Sequence, residues 1–440
     1  MPARTILGLA ALAACALAAA EATHVGELLS TGPNPVLPAA DPQLVPTVHV
    51  AKAVGWAEGG LPHAAEGMSV TALATGLAHP RWLYVLPNGD VLVAETNAPA
   101  KPEDAKGLKG WFMKQEMRKA GSTSQGPNRI VLLRDSDGDG HIDLRVPFIE
   151  GLNAPFGMAL VGHTLYVADT DALLRFDYPP GATHLGGGSK VLDLPAGPIN
   201  HHWTKNVIAS RDGKRLYVTV GSNSNIAENG MEAEKGRAAI WEIDPATGRH
   251  RLFATGLRNP NGLAWAPGTG ALWTVVNERD ELGNDVPPDY LTSVTDGGFY
   301  GWPYAYFGPH VDERVKPQKP ELVSKTLKPD YGLGAHVAPL GLAITEHSAL
   351  PGRFGGSGAF IGEHGSWNRK PYAGYKVVFV PFTSGRPSGE PVDVLDGFLD
   401  DQGQARGRPV GVALDAKGDL LVADDVGNTV WRVSATAAPH

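Results

Sequence analysis

The sequence predicts an all-β protein, a six-bladed β-propeller, and three observations carry that prediction. First, one segment recurs six times, at residues 80–95, 155–169, 206–221, 260–277, 339–363 and 409–424. A Pro or Gly leads into apolar residues, a Gly turn follows, and a Leu-Tyr-Val-like run ends in an acid or amide. Period-2 runs on either side of a Gly turn make a β-hairpin, and six related hairpins at spacings of roughly 50 to 80 residues bury a shared core by standing side by side. Second, 55 Gly and 36 Pro against 19% charged residues demand many tight turns rather than long helices. Third, residues 69–77 alternate as a strand that can pair with the last module and close the ring without an open edge. Radial symmetry then gathers the residues just ahead of each hairpin on one face.

Taken in order, residues 1–20 carry Arg4, an apolar stretch from Ile6 to Ala19 and small residues placed for cleavage near Ala20 or Ala22, the pattern of a secretory signal. The stretch is too short and Ala-rich for a spanning helix. Leu12-Ala13-Ala14-Cys15 also resembles a bacterial lipobox, in which Cys15 would be lipidated, although the apolar run continues past it. Cys15 is the only cysteine, so the mature chain has no internal disulfide, thiolate zinc site or Cys-x-x-Cys-His haem attachment. An export signal points to the bacterial periplasm. Residues 21–67, rich in Pro, Ala and Gly, read as a lead-in or surface wrap, and residues 68–435 as the propeller. Length alone would allow two or three domains, but the repeat overrides that prior. A formal net charge of −8 argues against a nucleic-acid surface. Residues 106–119 read as a short amphipathic helix on the flank, or as a membrane or partner contact. Residues 284–309 and 315–338 are long, aromatic, Pro-rich excursions between hairpins, expected to build a pocket wall.

The chemistry-bearing residues stand ahead of the hairpins and at their ends. Asp135, Asp137, Asp139 and Asp143, with Gly140, occupy the early positions of a calcium loop, where alternating oxygens on a tight Gly turn wrap a hard cation. Position 12 is Val146 and a strand-like run follows, so a calcium-binding β-turn fits and a helix-loop-helix does not. His201 and His202 are adjacent on extended backbone and point to opposite faces, so at most one serves a given site; a neutral imidazole is the usual general base. Arg258 and Asn259 precede the fourth hairpin, and Asn277-Glu278-Arg279-Asp280-Glu281 closes it with oxygens suited to a second cation. Arg406 and Arg408 lie on one face ahead of the sixth hairpin, a pairing that meets carboxylates or phosphates. His336 precedes the fifth and Asn153 the second. Together these places ask for a polyanionic ligand with a base beside it, and acids must interleave to relieve repulsion between the arginines.

At these residues the sequence resembles the soluble pyrroloquinoline-quinone (PQQ)-dependent sugar dehydrogenases, in particular the L-sorbosone and aldose dehydrogenase branch. The resemblance runs from about Thr71 to Val433 and is most specific at residues 256–264, at Asn277-Glu278-Arg279-Asp280 with Pro288-Asp289-Tyr290, and at residues 297–303, 336–342 and 362–369. It implies a six-bladed propeller carrying the quinone near its axis, with His202 as general base for the anomeric hydroxyl while hydride passes to the quinone. It implies that Arg258 and Asn259 hold the cofactor's polar edge and that Arg406 and Arg408 bind its carboxylates. It places a calcium ion on the quinone, held in part by backbone carbonyls around Glu278 and Arg279, and a further calcium near Tyr300. Three departures stand out. The family's Asp before the base is His201, the Gln on the cofactor is replaced by Leu152 or Asn153, and the cofactor-binding Lys has no clear equivalent, with Arg369 the candidate replacement.

The expected function is PQQ-dependent oxidation of an aldose or aldehyde sugar, sorbosone-like, at C1 to a lactone or acid, with electrons leaving to an external acceptor such as a cytochrome or a membrane quinone pool. Two other readings stay open: a calcium-dependent lactonase or esterase propeller, which needs several carboxylates around the axis, and a non-catalytic sugar-binding propeller.

Overall fold

The computed structural model describes residues 30–42, 47–99 and 126–436. Six antiparallel sheets follow one another along the chain as blades. Blade 1 comprises Pro80–Val85, Val91–Glu95, Arg129–Arg134 and Leu144–Ile149; blade 2, Met158–Val161, Thr164–Ala168, Ala172–Asp177 and Ser189–Asp193; blade 3, Val207–Ala209, Leu216–Val220, Ala239–Ile243 and His250–Thr255. Blade 4 comprises Asn259–Trp265, Leu272–Asn277, Pro288–Ser293 and Tyr331–Ala335; blade 5, Pro339–Thr345, Gly358–Glu363, Lys376–Thr383 and Val392–Asp396; blade 6, Pro409–Leu414, Leu420–Asp424, Thr429–Ala435 and, from the N-terminal side, Met68–Ala74. Each recurring hairpin is the inner pair of strands of one blade, and the six first strands touch one another around the ring.

A blade is packed on both faces, and alternate residues of one strand serve different neighbours. In blade 1, Leu92 and Ala94 join an apolar cluster with Leu165 and Val167 of blade 2, while Val91 and Val93 join Leu421 and Ala423 of blade 6. Val91–Glu95 is therefore buried throughout. Six such clusters sit between the six pairs of adjacent blades, and each fully buried Val, Leu or Phe in them contributes about 1.5–3 kcal/mol.

Met68–Ala74 pairs with Thr429–Ala435, with Val70 opposite Val433, so the first and last parts of the propeller close the ring in one sheet. Ahead of it, Thr31–Gly32 adds to the outer edge of blade 4 and His63–Ala64 to that of blade 5, so the described part of residues 21–67 covers sheet edges. Residues 284–309 and 315–338 are not loops throughout. They contain the third and fourth strands of blade 4, a small hairpin of Ala305–Tyr306 with His310–Val311, and the one-turn helix Pro320–Val323. Pro at strand heads and aromatics facing the core hid the strand pattern there. The signal segment with Cys15 and the amphipathic stretch 106–119 lie outside the described residues. No helix among the described residues is long and apolar enough to cross a membrane.

Gly341 marks how closely the blades approach. A Cβ there would overlap the Val410 carbonyl oxygen and lie 2.8 Å from the Val412 amide. Gly341→Ala is expected to cost about 1–3 kcal/mol through overpacking, read as a lower denaturant midpoint at unchanged slope.

Candidate active site

The segments leading into the hairpins are pinned by acids at the ends of second strands. Glu95 Oε1 accepts the Ala78 amide at 2.7 Å, Asp169 Oδ2 that of Asn153 at 2.8 Å, and Asp424 Oδ1 that of Arg408 at 2.8 Å. The separations of 17, 16 and 16 residues match the hairpin itself, which explains the recurring acid. Asp289 does the same between blades: it accepts the Glu278 amide at 2.7 Å and the Ala338 amide at 2.8 Å. These bonds hold backbone strain, since His79, Ala154 and Ala338, each directly before a proline, lie at φ 59°, 51° and 53°, conformations that cost non-Gly residues about 1–3 kcal/mol. Burial raises the carboxyls of Asp424 to about 6, Asp169 to about 7 and Asp289 to about 8.

On the face so formed, His202 is oriented by blade 3. Its Nδ1 lies 2.9 Å from the Ser222 carbonyl oxygen and 3.0 Å from Ser222 Oγ, whose own proton goes to the Ser224 carbonyl at 2.6 Å. Nδ1 therefore carries the ring proton and donates to Ser222, leaving the Nε2 lone pair without a partner among the described residues. Ser222 thus supplies the orientation that His201 does not. Burial and then the Arg258 charge push the imidazole well below its ordinary range, so it is neutral near pH 7. Lys205 lies fully buried beneath this loop and donates to the carbonyls of His202 and Trp203 at 3.3 Å each. Burial and then Arg237 push its amine well below the usual range. A Cβ on Gly221 would overlap His202 Cβ and lie 2.5 Å from Asn259 Oδ1, so a bare backbone brings base and amide together.

Arg258 and Asn259 stand beside this base on blade 4. Arg258 Nη1 donates to the Glu278 carbonyl at 2.5 Å, and Nη2 to Asp280 Oδ2 at 2.7 Å and Asn225 Oδ1 at 3.0 Å. Asp280 in turn accepts from Asn368 Nδ2 at 2.8 Å. Asn259 Oδ1 is buried without a hydrogen-bond partner. His336 is buried with Nε2 2.9 Å from the Gly283 carbonyl.

A second cluster is built on Asp425. Oδ2 accepts from Arg81 Nη1 at 2.5 Å and His364 Nε2 at 2.8 Å, and Oδ1 from Arg408 Nε at 3.1 Å. His79 Nε2 stands 3.5 Å from Oδ2 and makes no hydrogen bond. Burial alone would raise the Asp425 carboxyl; Arg408, His364 and His79 outweigh it and hold the group well below the usual carboxylate range. Burial lowers His364 to about 4 and His79 below its ordinary value. The acids that must interleave between the arginines are thus Asp425 and Asp280.

The other expected residues are more dispersed. Asn153 is exposed and bonded to Asp171 at 2.9 Å. Arg369 is buried and committed to Asp285, the Asn284 carbonyl and the Pro371 carbonyl. Arg406 is half-buried, and its side chain has no partner among the described residues. Glu278 and Arg279 are buried and ion-paired at 3.0 Å, with Arg279 also bonded to Pro303, Ala305 and Asp312. Tyr300 donates to the Ser293 carbonyl at 2.6 Å. Asp135, Asp137 and Asp143 each bring a carboxylate oxygen within 4.8 Å of the others; Asp139 stands apart and accepts the His141 amide at 2.7 Å. Sequence reasoning missed His79, Arg81, Trp203, His364, Asn368 and Asp425 as site residues, and it read Asp280 as part of a cation site where the structure pairs it with Arg258. Their signal was positional: His79 precedes Pro80 as Asn259 precedes Pro260, and His364 and Asp425 each directly follow a second strand.

The TrAA12-like family model matches residues 122–290 and 318–436. An uncharacterised protein of Borreliella burgdorferi is 31% identical over 54% of this chain and 62% of its own length. The pyrroloquinoline quinone-dependent pyranose dehydrogenase of Coprinopsis cinerea is 24% identical over 85% of this chain and 55% of its own length. The chain thus spans less than two thirds of these curated relatives. Among solved structures, the Trichoderma reesei carbohydrate-active enzyme of family AA12 shares the fold at a TM-score of 0.68 and 20% identity, covering 88% of this chain and 99% of that one.

Asp425→Asn is expected to leave Arg81 and Arg408 buried without a countercharge and to lower stability by about 3–5 kcal/mol, measured by chemical denaturation.

Proposed function

The chain belongs to the TrAA12-like family, and we propose on that premise that it is a PQQ-dependent dehydrogenase oxidising an aldose or aldehyde sugar, sorbosone-like, at C1 to a lactone or acid. The observation that carries this reading is His202: its proton is fixed on Nδ1 by Ser222, its Nε2 has no partner among the described residues, and Asn259 and the Arg258 charge stand close to the ring. A base so prepared takes the proton of the C1 hydroxyl at Nε2. When bound, PQQ supplies a two-electron acceptor for the hydride from C1. The residues suit such a group, since the face carries Arg258, Arg406 and Arg408, and buried polar atoms lack partners at Asn259 Oδ1 and Arg81 Nε. Arg258 and Asn259 take the polar edge of the cofactor, Arg406 and Arg408 its carboxylates, and Asn153, His336 and Arg369 stand further out. Burial, and then the Arg258 charge, keep His202 neutral. Electrons leave to an external acceptor, a cytochrome or a quinone, and the chain works in the periplasm after export.

Calcium is proposed at Asp135, Asp137 and Asp143, whose oxygens converge on a Gly turn. A calcium on the backbone carbonyls around Glu278 and Arg279 would share the Glu278 carbonyl with Arg258 Nη1, and near the further site the Tyr300 hydroxyl donates to the Ser293 carbonyl. A hydrolytic reading lacks support for a related reason: Asp425 is taken up by two arginines and a histidine.

Protein reconstituted with PQQ and calcium is expected to oxidise aldoses with a dye acceptor, while His202→Gln binds PQQ alike and loses about 10²–10⁴-fold in kcat. Equal turnover by the variant refutes the assignment. Because His202 is depressed, its neutral form persists as pH falls below 6.5, so the acid limb of kcat/KM is expected below that value. Asp137→Asn with Asp143→Asn is expected to abolish the rise in melting temperature on adding calcium.

A further inference from the structure

We propose that Lys205 is a positioning residue for His202, holding the loop that carries it through backbone carbonyls where other blades use a carboxylate on backbone amides. In blades 1, 2 and 6 the approach to the hairpin is pinned by Glu95, Asp169 and Asp424. Blade 3 ends its second strand with Val220, Gly221 and Ser222, and none of these is an acid. Nor is there room for one at Gly221, where a Cβ would overlap His202 Cβ and lie 2.5 Å from Asn259 Oδ1. The base occupies the space that such an acid would need.

Lys205 takes over with the opposite polarity. A lysine side chain donates N–H groups and therefore seeks carbonyls, not amides. Its Nζ lies 3.3 Å from the His202 carbonyl oxygen and 3.3 Å from that of Trp203, and the side chain is fully buried. The Trp203 carbonyl also takes Thr170 Oγ1 at 2.8 Å, whereas the His202 carbonyl has no other donor among the described residues. The Lys205 carbonyl accepts the Gly157 amide of blade 2 at 3.0 Å, so the anchor is itself tied to the neighbouring blade. Burying an amine costs free energy that an apolar side chain of similar length would not, and Nζ bonds to no carboxylate among the described residues. What the position gains from lysine is its donors. The base is thus fixed at two points: Ser222 holds the ring through Nδ1, and Lys205 holds the peptide groups on either side of Trp203. A misplacement of about 1 Å at a reacting group costs about 10²-fold in rate. The effect on turnover rests on His202 being the base, as proposed above; the anchoring of the loop does not.

The test uses Lys205→Met and Lys205→Leu, which fill the space and remove the donors, with melting curves for each. Ring-nitrogen NMR of ligand-free, histidine-labelled protein reads the tautomer of His202, whose signals are identified by their loss in His202→Gln. The wild type is expected to carry the ring proton on Nδ1, and in the variants the two nitrogens are expected to move toward a common averaged value. After loading with PQQ and calcium, the variants are expected to lose at least about tenfold in kcat for aldose oxidation, with PQQ affinity and KM for the sugar within about twofold of the wild type. A folded variant that keeps the wild-type tautomer or the wild-type turnover overturns the role, as does a fall in turnover matched by weaker PQQ binding, or the failure of both variants to fold. If the loaded wild type oxidises no aldose, the quinone reading falls, and the tautomer in the variants decides the anchoring of the loop by itself.

Discussion

Asp425 is the constraint around which the central face is organised. It follows the second strand of blade 6, is fully buried, and takes hydrogen bonds from blades 1, 5 and 6 at once. Without it, two guanidinium groups would share a poorly solvated space with nothing to offset their charge. Because its partners come from blades that meet only when the ring closes, the electrostatics of the site and the closure of the propeller are one problem. The strand Met68–Ala74 contributes to both: it completes the blade that carries Asp425.

The same economy appears in the acids that end second strands. Glu95, Asp169 and Asp424 hold the lead-in amides, and beside the first two His79 and Ala154 stand in left-handed backbone conformations just before proline. Two of these acids are kept well above the usual carboxylate range by burial. The repeat therefore specifies more than a hairpin. It specifies a hairpin with its approach fixed, which is what allows a side chain on that approach to serve as a site residue.

Charge is distributed unevenly over the face. Near blade 3 lie a neutral His202 with one nitrogen committed and the other without a partner among the described residues, a buried Lys205 beneath it, and Arg258 balanced by Asp280. Across the axis Arg81 and Arg408 are ion-paired with the buried Asp425. Trp203, next in sequence to His202, reaches Arg81 of blade 1 and joins the two regions. A ligand spanning them would meet a base at one end and cations at the other.

Much of this was legible in the sequence. The six hairpins, the closing strand and the places of His202, Arg258, Asn259 and Arg408 follow from local pattern, because turn chemistry, strand alternation and the residue before proline are short-range properties. The outer strands of blade 4 were not legible, since prolines and aromatics disguise strands whose partners lie far along the chain. Nor were the pairings. Arg369 offered itself as a cofactor cation but braces the Asn284 and Asp285 loop, while Arg81, inside an ordinary-looking strand, lies against Asp425, 344 residues away. Sequence determined which residue types stand at equivalent positions in the ring. Only the closed tertiary structure decided which charge meets which, because that depends on contacts between blades distant in the chain.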